Sequence, residues 1–271
     1  MIREKESAEL GLKILGLSLL FYALGEYNFL LGYVTVEGWS MVVAWSIYCF
    51  STASYSRSQN SMLLLLGYAY LAGGSLDFLR LLAWEGLGIL PLEGPLVMAQ
   101  LRLAARYVEI LSILVALLLR NRSFASWKVG LFYGFLFLFS LGSIFLHPLF
   151  PAVLTPLEGM TPFGVYSEYL LMAALGGGLG VVFLCRRELR GVSFFPFGMA
   201  LVFTLLGELC FLFCPRFFPS ENLIASIFKG FSFYCLFRSV LMAGLFEPYE
   251  KMEKSRDATF RLLHNLPVPL W

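Results

Sequence analysis

The chain has 271 residues, of which 59% are hydrophobic and 14% charged, with a mean hydropathy of +0.76. A soluble domain carries about 25% charged residues, so the composition excludes a soluble domain with a single anchor and points to a polytopic membrane protein. The net charge of +2 says little by itself, because orientation in a membrane follows the placement of Lys and Arg, and no nucleic-acid partner is expected.

A membrane span needs about 20 mostly apolar residues. Residues 1–13 are charged and polar, and no small-residue cleavage site follows the first apolar run, so that run is expected to remain as a helix. Eight spans are predicted in chain order: 10–27, 31–51, 61–82, 97–119, 127–147, 163–185, 194–214 and 223–246. The fold class is therefore all-α, a polytopic transmembrane helical bundle, with seven spans as the alternative count. Short connections make neighbouring helices antiparallel.

Basic residues alternate with the spans. Arg3, Lys5 and Lys13 precede the first, and Arg57 follows the second. Arg120, Arg122 and Lys128 follow the fourth; Arg186, Arg187 and Arg190 follow the sixth. Lys251, Lys254, Arg256 and Arg261 follow the eighth. With eight spans all of these fall on one side, which places both termini in the cytoplasm of a multi-pass inner-membrane protein. The opposite loops hold Arg216, with Arg80 at a helix end, and stretches 84–96 and 148–162 rich in Gly and Pro that read as turns.

Five carboxylates interrupt the spans: Glu37, Asp77, Glu109, Glu168 and Glu208. Arg102, Arg106 and Lys229 join them. Each charge near the bilayer centre costs roughly 2.5–3.5 kcal/mol unless it has a partner or water. Arg102, Arg106 and Glu109 are spaced by four and then three residues, which puts them on one helical face. Gln100, Tyr107 and Asn222 add polar groups at similar depth. Given the predicted direction, these groups converge on the outer half of the bundle and leave the inner half nearly apolar. Two readings follow, and they are compatible. One is a set of interhelical ion pairs that fixes packing, such as Asp77 with Arg106 or Glu208 with Lys229. The other is a cavity that binds a small ligand or a proton.

No metal or cofactor is expected. The five cysteines, Cys49, Cys185, Cys210, Cys214 and Cys235, lie in apolar segments, and the two histidines, His147 and His264, are not near them in sequence. Gly176, Gly177, Gly178 and Gly180 read as a packing surface in the sixth span.

Four stretches carry a resemblance. They are GYAYLAGGSLDFLRLLAWEGLGIL at 67–90, AQLRLAARYVEILSIL at 99–114, LTPLEGMTPFGVYSEYLL at 154–171, and GELCFLF with NLIASIFKGFSFYCLFRSVLMAGLFEPY within 207–249. In their order and spacing the chain resembles the third class of bacterial and archaeal membrane-associated sensor domains, the MASE type, over roughly residues 15–250. The resemblance implies a sensory input module ahead of a PAS domain, a histidine kinase or a cyclic-di-GMP synthesising domain (a diguanylate cyclase). It covers Glu37, Asp77, Gln100, Arg106, Tyr107, Glu109, Glu168, Glu208, Asn222 and Lys229. The chain departs from the family pattern where a histidine is usual: it has Tyr33, Arg80, and Ala225 with Ser226 at those places. If those histidines hold a metal or haem in relatives, this chain lacks them.

Residues 1–248 thus read as a membrane-embedded sensor domain and 249–271 as a cytoplasmic signalling helix. Its last stretch, FRLLHNLPVPLW, is similar to the opening of a PAS domain, in which case the chain stops as that domain begins. The expected function is a non-catalytic signal input whose polar site comprises Glu37, Asp77, Arg80, Gln100, Arg102, Arg106, Tyr107, Glu109, Glu168, Glu208, Asn222 and Lys229. Expected partners are the lipid bilayer, a small ligand or proton, an output domain in cis or in trans, and a second copy in a homodimer. The alternative is a small proton-coupled transporter. An internal repeat and paired broken helices would mark one, and neither is evident in the sequence.

Overall fold

The computed structural model describes residues 2–84, 87, 89, 94–120, 122–146, 149–155, 159–185, 193–213, 219–246, 252 and 256. Eight helices run through them: α1 (Ile2–Tyr27), α2 (Phe29–Ser58), α3 (Ser61–Leu82), α4 (Gly94–Leu118), α5 (Ser126–Leu141), α6 (Pro162–Leu184), α7 (Phe194–Phe213) and α8 (Pro219–Leu241). Each matches one predicted span. The largest differences are at helix ends. α1 begins at Ile2 rather than residue 10, and α2 runs to Ser58 rather than 51. In the polar tail of α2 the hydroxyls turn back onto the helix's own carbonyls, Thr52 donating to that of Tyr48 (2.8 Å) and Ser56 to that of Ala53 (2.9 Å). Single π-helical turns, Gly142–Leu146 and Met242–Phe246, extend α5 and α8.

Six helices are long and apolar enough to cross a membrane by length and composition, within Phe29–Ser56, Ser61–Leu82, Ser126–Leu146, Pro162–Leu184, Phe194–Leu212 and Leu223–Gly244. α1 and α4 fall outside that set. In α4 the run is interrupted by Arg102, Arg106 and Glu109. The helix nevertheless packs between α3 and α6, where those charges find partners.

Local chemistry makes the breaks. Asn28 caps α2 by accepting from the Leu31 amide (3.1 Å), as expected of an Asn at an N-cap. Gln59 takes the left-handed conformation (φ 51°) that ends α2, and Asn60 caps α3 through the Met62 amide (3.0 Å). Before α6, Leu154–Thr155 pairs antiparallel with Gly159–Met160, the only strand pairing among the described residues. Gly159 has φ 83°, which favours glycine. Thr161 then caps α6 by accepting from the Gly164 amide (3.2 Å), with Pro162 in the first turn.

Contacts between helix ends establish antiparallel packing. At one end Tyr55 and Ser61 donate to the Phe124 and Arg122 carbonyls, which joins the end of α2, the start of α3 and the start of α5. Ser239 near the end of α8 donates to the Ser193 carbonyl (3.1 Å), just before α7. Arg120, Arg122 and Lys128 lie at this basic end. At the other end the start of α8 meets the end of α1, through Leu223 and Gly25. The parity of eight helices therefore puts the start of α1 and the end of α8 together at the basic end.

Six helices close a ring: α2 packs on α3, α3 on α4, α4 on α6, α6 on α7, α7 on α8, and α8 back on α2. α1 leans on α2 and α8 from outside, and α5 on α3. The apolar core runs through the bundle, and in the basic half Ile47, Met62, Leu63, Leu64 and Leu66 are fully buried. α2 and α3 approach closely there because residue 67 is glycine. A Cβ at that position would stand 2.6 Å from the Ser51 Cβ, too near for either backbone to stay in place. Gly67→Ala is therefore expected to cost about 1–3 kcal/mol through overpacking, read as a lower melting temperature in detergent with insertion unchanged.

Several sequence features lie outside the described residues: His147, His264, Cys214, Arg186, Arg187, Arg190, Arg216, Lys251, Lys254, Arg261 and the PAS-like stretch at 260–271. Cys49, Cys185, Cys210 and Cys235 are free thiols, and Cys235 is buried.

Candidate functional site

Helical spacing sets the first level of the site. Asp77 and Arg80 are three apart on α3, and Arg102, Arg106 and Glu109 share one face of α4. Glu109 reaches the α3 backbone because residue 73 is glycine; a Cβ there would stand 2.5 Å from its Oε1 and 2.7 Å from its Cγ. α2 supplies Glu37, α6 Glu168, α7 Glu208 and α8 Lys229. Every helix of the ring contributes at least one charged side chain, and α1 and α5 contribute none.

These side chains form one connected network. Asp77 is its hub: it accepts from Arg80 Nε (3.1 Å), Arg106 Nη2 (2.9 Å) and Lys229 Nζ (3.1 Å). Glu37 pairs with Arg80 Nη2 (2.6 Å) and with Lys229, and accepts from the Ser226 hydroxyl (2.6 Å). Arg106 also pairs with Glu109 (2.8 Å) and lies 3.8 Å from Glu208. Arg102 bridges two helices, with one nitrogen on Glu168 (2.5 Å) and the other on Glu208. Glu37, Asp77, Arg80, Arg106, Glu109, Glu168, Glu208 and Lys229 are all buried, and among the described residues no other charged side chain is.

Aromatic rings back the cations. The Arg102 guanidinium lies 3.5 Å from the Phe211 ring centre, and Arg106 and Lys229 face Phe233 at 5.6 and 5.9 Å, all within cation–π range. Tyr33 accepts from Arg80 (2.9 Å) and packs on Trp84 at 4.7 Å between ring centres. A cavity of about 50 Å³ opens among Tyr33, Glu37, Arg80, Arg102, Glu208 and Lys229. It suits a few waters or a small ion and is far below the roughly 300 Å³ of a drug-sized pocket.

Nine of the twelve residues named from sequence meet in this network. Gln100 does not: its amide donates to the carbonyls of Phe150 (2.9 Å) and Pro151 (3.3 Å) and ties α4 to the loop before α6. Tyr107 is also elsewhere. It lines a separate apolar cavity of about 390 Å³ with Leu111, Val115, Phe132 and Tyr133, because one residue past Arg106 turns it about 100° off the charged face. The Asn222 side chain lies outside the described residues. The pairing of Asp77 with Arg106 is observed; that of Glu208 with Lys229 is not. Glu208 turns to α4, and Lys229 reaches across to α2 and α3. Arg80, read both as a helix-end cation and as a site residue, reaches Glu37, Asp77 and Tyr33 from the end of α3. Sequence reasoning missed Tyr33, Phe211 and Ser226 as members of the site; Ser226 was open to view, being one turn before Lys229 on α8.

Three of the departures from the resemblance noted in the sequence, Tyr33, Arg80 and Ser226, fall together. Tyr33, Arg80 and Ser226 surround Glu37, with Arg80 and Ser226 bonded to it and Tyr33 bonded to Arg80. A guanidinium, a phenol and a hydroxyl make a poor donor set for a metal or haem iron. Among the described residues no three His, Cys, Asp or Glu side chains group as metal ligands.

No match is found among curated proteins or solved structures. The model of the family MASE3, a membrane-associated sensor domain, matches residues 24–248. Because that match covers most of the chain and all six helices of the ring, the protein belongs to the MASE3 family of membrane-associated sensor domains.

Proposed function

We propose that this sensory input module receives its signal at the buried charge network and passes it along α8 to a cytoplasmic output. Membership of the family supports the input role. The site, the output and the location are our assignments. Glu37, Asp77, Arg80, Arg102, Arg106, Glu109, Glu168, Glu208 and Lys229 receive a small polar ligand or a proton. Residues 1–248 form the membrane-embedded unit in the cytoplasmic membrane, and 249–271 lead to a histidine kinase or cyclic-di-GMP synthase, in cis or as a partner, within a homodimer.

One observation carries the reading: all six ring helices place a charge in the same network. Changing one charge there alters the pairing of its partners on neighbouring helices. Buried ion pairs add little net stability but hold a defined arrangement. A signal that binds one arrangement better than another shifts the bundle between them. Lys229 puts α8, the last helix, inside that coupling. All buried charges among the described residues lie between the middle of the bundle and the end opposite the basic loops, whereas proton-coupled transport would call for ionisable groups through to the basic end.

A chimera joining residues 1–256 to a cytoplasmic histidine kinase tests this. Glu168→Gln and Glu208→Gln, singly and together, are expected to change basal autophosphorylation at least several-fold while membrane insertion is retained. Unaltered autophosphorylation in the inserted double variant sinks the proposal.

A further inference from the structure

The network holds five carboxylates, Glu37, Asp77, Glu109, Glu168 and Glu208, against four cations, Arg80, Arg102, Arg106 and Lys229. Fully ionised, it carries one negative charge in excess inside a membrane-embedded bundle, where an unpaired charge is costly. The excess has an address. Glu168 and Glu208 are held by the same guanidinium, one at each end of Arg102. The two carboxyl groups are thus no further apart than the span of one guanidinium and its two hydrogen bonds. Glu168 Oε2 and Glu109 Oε1 are both buried with no donor in reach, but Glu37, Asp77 and Glu109 are balanced by Arg80, Arg106 and Lys229, whereas Glu168 and Glu208 have Arg102 between them. Two carboxylates so close in a low dielectric do not both ionise readily, and a proton on one of them would give Glu168 Oε2 a hydrogen-bonding partner.

We propose that Glu168 and Glu208 share one proton, and that its exchange with the outer aqueous phase is a signal the domain reads. With the proton in place, one carboxyl donates an O–H hydrogen bond to the other, and the network is neutral. On release the proton leaves to water through the small cavity that Glu208 lines. Two adjacent anions then face each other across α6 and α7 with only Arg102 between them.

The groups facing the pair are few. α4 presents Arg102 to both and Arg106 to Glu208 at 3.8 Å. α8, which packs on α7, has its Lys229 engaged by Glu37 and Asp77. α6 is the helix free to respond. It packs on α4 and α7, and Tyr166, Tyr169 and Leu170 near its start face outward. Loss of the shared proton is therefore expected to move the start of α6 away from α7. This deepens the input-site reading and depends on it for the signalling consequence, though not for the proton itself.

Infrared difference spectroscopy of the full chain in lipid nanodiscs, titrated from mildly acidic to mildly alkaline buffer, tests the proposal. One buried protonated-carboxyl C=O band is expected to disappear as pH rises. Glu168→Gln and Glu208→Gln should each abolish it, and Glu109→Gln should retain it. Absence of any titrating band in the unsubstituted chain overturns the proposal whether or not the variants fold. So does a band that survives both substitutions or is lost with Glu109→Gln. The kinase chimera separates the two ideas. A band that maps to the pair alongside unchanged kinase output leaves the proton site standing and removes the input role; altered output without a band does the reverse.

Discussion

Asp77→Leu is expected to be the most damaging single substitution in the network, lowering stability by about 3–5 kcal/mol. Among the described residues Asp77 is the only carboxylate that holds three cations, Arg80, Arg106 and Lys229, from its own helix, α4 and α8. Leucine leaves three buried positive charges facing an apolar group. Each keeps a second partner, but none keeps the acceptor that drew them together. Asp77→Asn retains an acceptor oxygen and is expected to cost less. Thermal unfolding in detergent reads the difference, with a drop of roughly 10 °C for the leucine variant if shifts follow those of soluble domains of similar size. Equal melting temperatures for Asp77→Leu and the unsubstituted chain would show that Asp77 is not the hub.

Arg102→Met is expected to rank next, and its cost should be recoverable. Removing the guanidinium strands Glu168 and Glu208 beside each other and empties the face of Phe211, over which Arg102 lies at 3.5 Å. Breaking a buried pair from one side costs about 3–5 kcal/mol because a charge is left unpaired. Adding Glu168→Gln to Arg102→Met leaves a single carboxyl group, free to take up a proton, beside a neutral amide and is expected to restore a large part of the loss. A double-mutant cycle should return a coupling of about 1–3 kcal/mol. Arg102→Lys is not expected to rescue, since one ammonium cannot reach both carboxylates as a planar fork and also stack on the ring. Strict additivity of Arg102→Met and Glu168→Gln would refute the bridge.

The π-facing cations help explain why the network sits where it does. Phe211 and Phe233 belong to α7 and α8, the pair that closes the ring back to α2. Charged groups on α4 are thus matched by aromatic faces as well as by carboxylates. Part of their desolvation is offset without adding a further charge.

Hydropathy and periodicity along the chain were enough to locate the helices and the approximate level at which the charges lie. Those properties follow from hydropathy and from 1.5 Å of rise per residue, both local. The shared face of Arg102, Arg106 and Glu109 was equally legible, and the same periodicity already turned Tyr107 off that face. The family followed from ordered motifs along the chain. Which carboxylate meets which cation was decided by the tertiary structure alone. Lys229 chooses Glu37 and Asp77 over Glu208 because α8 closes on α2, and Arg102 joins Glu168 to Glu208 because α4, α6 and α7 are consecutive in the ring. The order of helices around a ring and the rotation of each about its axis are set by packing among all of them, at Gly67 and Gly73 as much as at the charges, and no stretch of sequence encodes either alone.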